Sequence, residues 1–119
     1  MATQPWVCLS RFLPLAFAVA MVVGDKLTIV VAGELDMANH FIAFDALHDA
    51  LADSMPRNVV IDLAALTFCD VAGARAIGCA HRLAVARGAT CRVRNARPHI
   101  ERLLLIIQPG VMPTARRQR

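Results

Sequence analysis

Ile61-Asp62-Leu63-Ala64-Ala65-Leu66-Thr67-Phe68-Cys69-Asp70-Val71-Ala72-Gly73 is the stretch on which the reading of this chain turns. A β-prone apolar run enters a short loop, and the loop ends at an Asp followed by small residues and a Gly. A strand hands over to a helix in this way, leaving the helix N-terminus exposed. Such an N-terminus carries unpaired backbone N–H groups and the positive end of the helix dipole, so it suits an anion or a docking partner. Asp70 is placed to cap the helix from the N-cap position. Val71 and Ala72 bring no hydroxyl and no ionisable group, so the loop offers no phosphoserine and no serine nucleophile there.

Upstream, Leu27 to Ala32 is rich in β-branched residues and reads as a central strand, with Gly33 and Asp36 marking its exit. Ala16 to Val22 reads as a strand before it, turned by Gly24-Asp25-Lys26. Asn39 is a candidate cap for a helix running to about Ala52. Phe41, Phe44, Leu47, His48 and Leu51 recur there at helical spacing, which assigns the two aromatics to the core. Met55-Pro56-Arg57 breaks this helix, and Asn58 to Leu63 follows as a strand. Val59-Val60-Ile61 does not alternate, which predicts burial on both faces.

Downstream, the spacing predicts a helix over about Val71 to Arg87 with a thin, alanine-rich apolar face and Arg75 and Arg82 on other faces. Gly88 is its C-terminal stop. Thr90 to Arg94 alternates as an outer strand does, with Cys91 and Val93 inward. Pro98 opens a last helix whose Ile100, Leu103, Leu104 and Ile107 share one face, which Leu105 and Ile106 widen; Pro109-Gly110 ends it. Strands alternating with helices predict an α/β domain, a mixed four- to five-stranded β-sheet with α-helices packed against it.

The pattern D-L-x-x-L-x-F-x-D-small-small-G resembles the STAS domain, the fold of bacterial anti-sigma factor antagonists. Gly33-Glu34-Leu35-Asp36 is similar to the G-E-L-D turn of that family, and a helix and a strand separate the two signatures as the family requires. The resemblance covers roughly residues 16–112, with residues 1–15 a loose N-terminal extension and 113–119 a basic tail. It implies a regulator of transcription that docks its exposed loop and helix start on a kinase-like anti-sigma factor and frees a sigma factor. It places the partner-binding surface at Asp36, Met37, Asp70, Val71, Ala72, Gly73, Ala74 and Arg75. In that family the Asp is usually followed by a Ser or Thr that the partner phosphorylates; here Val71 holds that position, so phosphorylation would not switch this chain. The family's closing strand and helix are replaced here by Pro113 and an Arg-rich end.

Composition agrees with one small domain: 119 residues, 57% hydrophobic and 18% charged, with a net charge of +4. Basic residues are nearly all Arg, and Arg116, Arg117 and Arg119 crowd one end. Aromatics are only 5%, too few for a basic face interleaved with rings, so nucleic acid is not an expected partner. Cys8, Cys69, Cys79 and Cys91 form no C-x-x-C pair, and His40, His48, His81 and His99 do not stand beside them at ligand spacing. The plain reading makes them reduced core thiols in a cytoplasmic protein. The sharper one makes Cys69 and Cys79 redox-sensitive, since a thiol near a helix N-terminus has a lowered pKa. Alternation points Phe68 and Cys69 to opposite faces, so one of them lies outside the core.

No catalytic constellation emerges: there is no glycine-rich phosphate loop, no H-E-x-x-H, and no nucleophile beside a His and an acid. The chain is therefore read as a binding module without cofactor. Asp36, Asp62 and Asp70 could be drawn around a metal, but capping and loop order explain them more simply. Phe12 to Val23 is too short to cross a bilayer, so no direct membrane insertion is expected. Ala18-Val19-Ala20 resembles a signal-peptidase site, yet cleavage there would remove most of the first strand. Two further roles stay open, a STAS subunit of a membrane transport complex and an exported small protein beginning near Met21. The sequence also leaves a homodimer open.

Overall fold

The computed structural model describes residues 6–8 and 16–111. Most of the first fifteen residues and the arginine-rich tail lie outside the described residues. Strands β1 (Trp6–Cys8), β2 (Ala16–Val23), β3 (Lys26–Leu35), β4 (Asn58–Asp62), β5 (Leu66–Cys69) and β6 (Thr90–Arg94) form one mixed sheet, with helices α1 (His40–Ser54), α2 (Val71–Ala86) and α3 (Pro98–Ile107). Five strands lie in the order β1-β2-β3-β4-β6, and β5 adds a short sixth beside β3. The first two pairings are antiparallel and the rest parallel. Three residues of the segment read as a loose extension, Trp6–Cys8, are therefore paired, in register with Met21 to Val19 of β2.

The hairpin follows from its turn. Gly24 has φ +60°, a conformation that glycine adopts without a Cβ penalty, so two residues reverse the chain and set Val23 opposite Lys26. The Asp25 carbonyl then accepts from the amides of Arg57 and Asn58, which anchors the start of β4 beside the hairpin. Along β3, Leu27, Ile29 and Val31 are buried at alternate positions and join Val59 and Ile61 of β4, Val93 of β6 and the inner faces of the helices in one core. Val60 points to the other face and is buried as well, as the unalternating run predicts. Each such aliphatic side chain contributes about 1.5–3 kcal/mol relative to exposure.

The helix α1 departs from the expectation. Its buried positions are Ala46, Leu47, Ala50 and Leu51, with Ala43 packed at the edge, whereas Phe41 is 71% exposed. Ala43, Ala46, Leu47, Ala50 and Leu51 make a complete i, i+3, i+4, i+7, i+8 stripe. Phe41 stands two residues from its start, about 200° around the helix, and so faces away. α1 ends at Met55, in the left-handed region at φ +45°, just ahead of Pro56.

The segment read as a loop before Asp70 holds β5, a second correction. Two of its four residues are exposed, so periodicity could not reveal it. Pairing with β3 makes it a strand. At Gly33, φ +93°, the register of β3 shifts; before that point it pairs with β4 and after it with β5. The start of α3 is tied beside β5, with Arg97 Nη2 donating to the Ala64 carbonyl and His99 Nε2 lying 3.2 Å from the Thr67 carbonyl. At the other end of α3 a single 3₁₀ turn, Pro109–Val111, buries Val111 in the core.

Candidate functional site

Two chain reversals meet at one end of the sheet. The first is the exit of β3. Asp36 Oδ1 accepts from the amides of Ala38 at 2.9 Å and Asn39 at 3.3 Å, which closes a turn. Asn39 does not cap α1 with its side chain. It is buried instead, and it staples the turn: Oδ1 accepts from the Asp36 amide at 2.8 Å, and Nδ2 donates to the Glu34 carbonyl at 2.7 Å. A buried amide so satisfied makes a rigid turn.

The second reversal is the step from β5 into α2. The Asp70 amide donates to the Leu35 carbonyl at 3.2 Å, continuing the sheet by one bond. Asp70 Oδ1 accepts from the Gly73 amide at 2.9 Å, the expected N-cap, and Oδ2 accepts from the Met37 amide at 3.0 Å. One carboxylate therefore caps the helix and ties it to the other loop. Gly73 permits the approach, because a Cβ there would lie 2.6 Å from the Leu35 carbonyl oxygen and 2.9 Å from Cys69 Sγ.

Of the predicted partner-binding residues, this arrangement brings Asp36, Met37, Asp70, Val71, Ala72 and Arg75 to or near the surface. Met37 is 72% exposed and Val71 40% exposed. Gly73 and Ala74 are buried, since that side of the first turn of α2 lies against β3 and β5; they support the surface rather than form it. Two exposed rings were missed by sequence reasoning. Phe68 lies two residues before Asp70 on the outer face of β5, as its alternation with buried Cys69 allowed, and Phe41 stands exposed in the first turn of α1, which follows the Met37 turn. The signal for Phe41 was its place off the alanine stripe.

The acidic side chains of the site are engaged in holding the loops. Asp36 and Asp70 spend their carboxylates on backbone amides, and Asp62 accepts from the Ala64 amide and faces Asn95 Nδ2. Among the described residues no group of three or more His, Cys, Asp or Glu is disposed to hold a metal ion. Redox control at Cys69 is not supported. Burial, with the Asp70 carboxylate adding to it, pushes the thiol up to about 12, opposite to the shift that reactivity needs. Cys79 lies half-buried farther along α2, its sulfur accepting from Arg82 Nη2 at 3.3 Å.

The model of the Mlab, STAS domain family matches residues 21–109, a span that contains both reversals. The chain belongs to the STAS-domain family. This STAS domain resembles an anti-sigma factor antagonist from Mycobacterium paratuberculosis at 22% identity and a TM-score of 0.69, over 82% of this chain and 83% of that one. It is also similar to the unphosphorylated anti-sigma factor antagonist SpoIIAA, at 19% identity and a TM-score of 0.64, over 78% and 82% of the two chains. The fold recurs in the murine Solute Carrier 26 family member A9 anion transporter, at 15% identity and a TM-score of 0.58, covering 69% of this chain and 14% of that one. No curated protein sequence matches this STAS domain at a significant level.

Proposed function

We propose that this STAS domain is an anti-sigma factor antagonist, a cytoplasmic interaction regulator and not an enzyme, which binds a kinase-like anti-sigma factor and so releases a sigma factor. The observation that carries the reading is the Asp70 carboxylate, which locks the two reversals together beneath exposed Met37 and Val71. A preorganised apolar surface with a polar support loses little entropy on docking. A phosphoryl group would bring about −1.5 to −2 charges to such a contact and disrupt it by desolvation and repulsion. Val71 cannot receive one, so docking here is constitutive.

Capture from lysate tests this reading, with wild type beside Val71→Ser and Val71→Asp. A kinase-like anti-sigma factor retained by wild type, lost by Val71→Asp and able to phosphorylate Val71→Ser supports antagonism. A transporter ATPase or permease on the wild-type bait, or no partner while all three variants stay folded, overturns it. The transport outcome is the second reading, favoured by the same absent hydroxyl and by the likeness to a domain of an anion transporter. No helix among the described residues is long and apolar enough to cross a membrane, so in that reading the domain would act as a subunit beside the membrane part.

A further inference from the structure

α2 begins beneath the docking surface and ends, 16 residues on, beside a cleft that the proposed function does not use. The cleft, about 520 Å3, lies between His81, Arg82 and Val85 of α2 and the turn from Gln108 to Val111. Its walls are largely aliphatic side chains and glycine backbone, yet one guanidinium stands in it. Arg82 Nη1 donates to Gln108 Oε1 at 2.6 Å, and Nη2 donates to Cys79 Sγ at 3.3 Å. Gln108 is itself pinned, because its carboxamide occupies the space that a Cβ on Gly78 would fill. The exposed guanidinium is thus tethered at the cleft by two bonds.

Among the described residues Arg82 has no ion-pair partner, and no acidic residue lines the cleft. Arginine carries five N–H donors in a planar fork, and the bonds to Gln108 and Cys79 leave donors over. Burial holds the neighbouring His81 imidazole below its ordinary pKa, with a Cys91 backbone bond opposing and the Arg82 charge assisting, so at neutral pH the ring adds no second charge. One tethered cation at the rim of an open, largely apolar cleft of small-molecule size matches a monoanion with an apolar body. We propose that this cleft binds an amphipathic carboxylate, an aliphatic chain of medium length with its carboxylate on Arg82 and its chain along Val85, Ala86 and Val111.

The test is a titration of the isotope-labelled full chain with sodium decanoate and, separately, with decan-1-ol, followed by amide chemical shifts. Saturable shifts centred on Val85, Ala86, Gly110 and Val111 are expected with decanoate. Decan-1-ol should bind about tenfold or more weakly, the loss of one charge-assisted hydrogen bond. Arg82→Gln should reduce decanoate binding to the level of the alcohol, and Val85→Trp, which fills the cleft, should abolish both. Absence of saturable shifts at these amides overturns the proposal, and so does equal binding of the acid and the alcohol. Because the last comparison uses wild type alone, a variant that fails to fold leaves the proposal decidable.

Discussion

The Asp70 carboxylate accepts the backbone N–H of Met37 at 3.0 Å, across 33 residues of sequence, while its other oxygen caps α2 through Gly73. That double bond-making joins the two signature motifs into one surface. Asp70→Ala removes both bonds and should cost about 1–2 kcal/mol, in the range of a lost N-cap. Urea denaturation reads the loss, and amide hydrogen exchange should quicken at both Met37 and Gly73. Acceleration at Gly73 alone would show that the tie to Met37 does not hold the loop.

Gly73 is held glycine by its neighbours. The Cβ of Gly73→Ala meets the Leu35 carbonyl, backbone that cannot swing aside, and should destabilise the fold by about 1–3 kcal/mol. Gly110→Ala, where a Cβ meets nothing within 4 Å, is the matched control and should leave the melting temperature nearly unchanged.

Phe41 and Leu47 lie on the same helix in opposite circumstances, one exposed and the other fully buried. Phe41→Ala should change stability by no more than about 0.5 kcal/mol yet weaken partner binding by about 2 kcal/mol, as exposed aromatic anchors do. Leu47→Ala should cost about 2–5 kcal/mol of stability through its cavity. Binding by calorimetry beside thermal melts separates the two effects.

The thiols should divide by burial. Desolvation pushes Cys69 and Cys91 up to about 12 from 9.0, so near pH 8 both remain thiols in the folded protein. Iodoacetamide labelling mapped by mass spectrometry should mark Cys79 well before either. The sign for stability follows: a raised folded pKa stabilises below the unfolded value, and this contribution fades as pH climbs from about 9 toward 12.

His81 works in the opposite direction. Its lowered folded pKa means that the unfolded chain binds the proton more readily, so stability should fall as pH drops below the unfolded value of 6.5. His81→Gln should flatten the melting temperature between pH 7 and pH 5, and an unchanged slope would assign the acid sensitivity to other groups.

Local chemistry alone disclosed much of this fold. Gly24-Asp25 predicted the hairpin, Val59-Val60-Ile61 the doubly buried strand, and Asp70 the helix cap, because each depends on neighbours a few residues away. The motif spacing disclosed the family and brought the two signature loops to one end of the sheet, where the docking surface is proposed. Phe41 and β5 escaped for a shared reason: their environment is set by contacts distant in sequence. An aromatic at roughly helical spacing reads as core until the packed alanine stripe fixes which way α1 is rotated. A four-residue strand with two exposed side chains reads as loop until β3 pairs with it across the register shift between Gly33 and Glu34.

The sequence by itself thus determined the order of the longer elements from β2 to α3, the turn chemistry and the absence of a hydroxyl at residue 71, all matters of residue type and short-range geometry. The tertiary structure decided which oxygen of Asp70 reaches Met37, that Gly73 and Ala74 lie beneath the surface, and that Arg82, without an ion-pair partner among the described residues, stands at the rim of a largely apolar cleft. Those are relations between elements, and only the packing of helices on a sheet creates them.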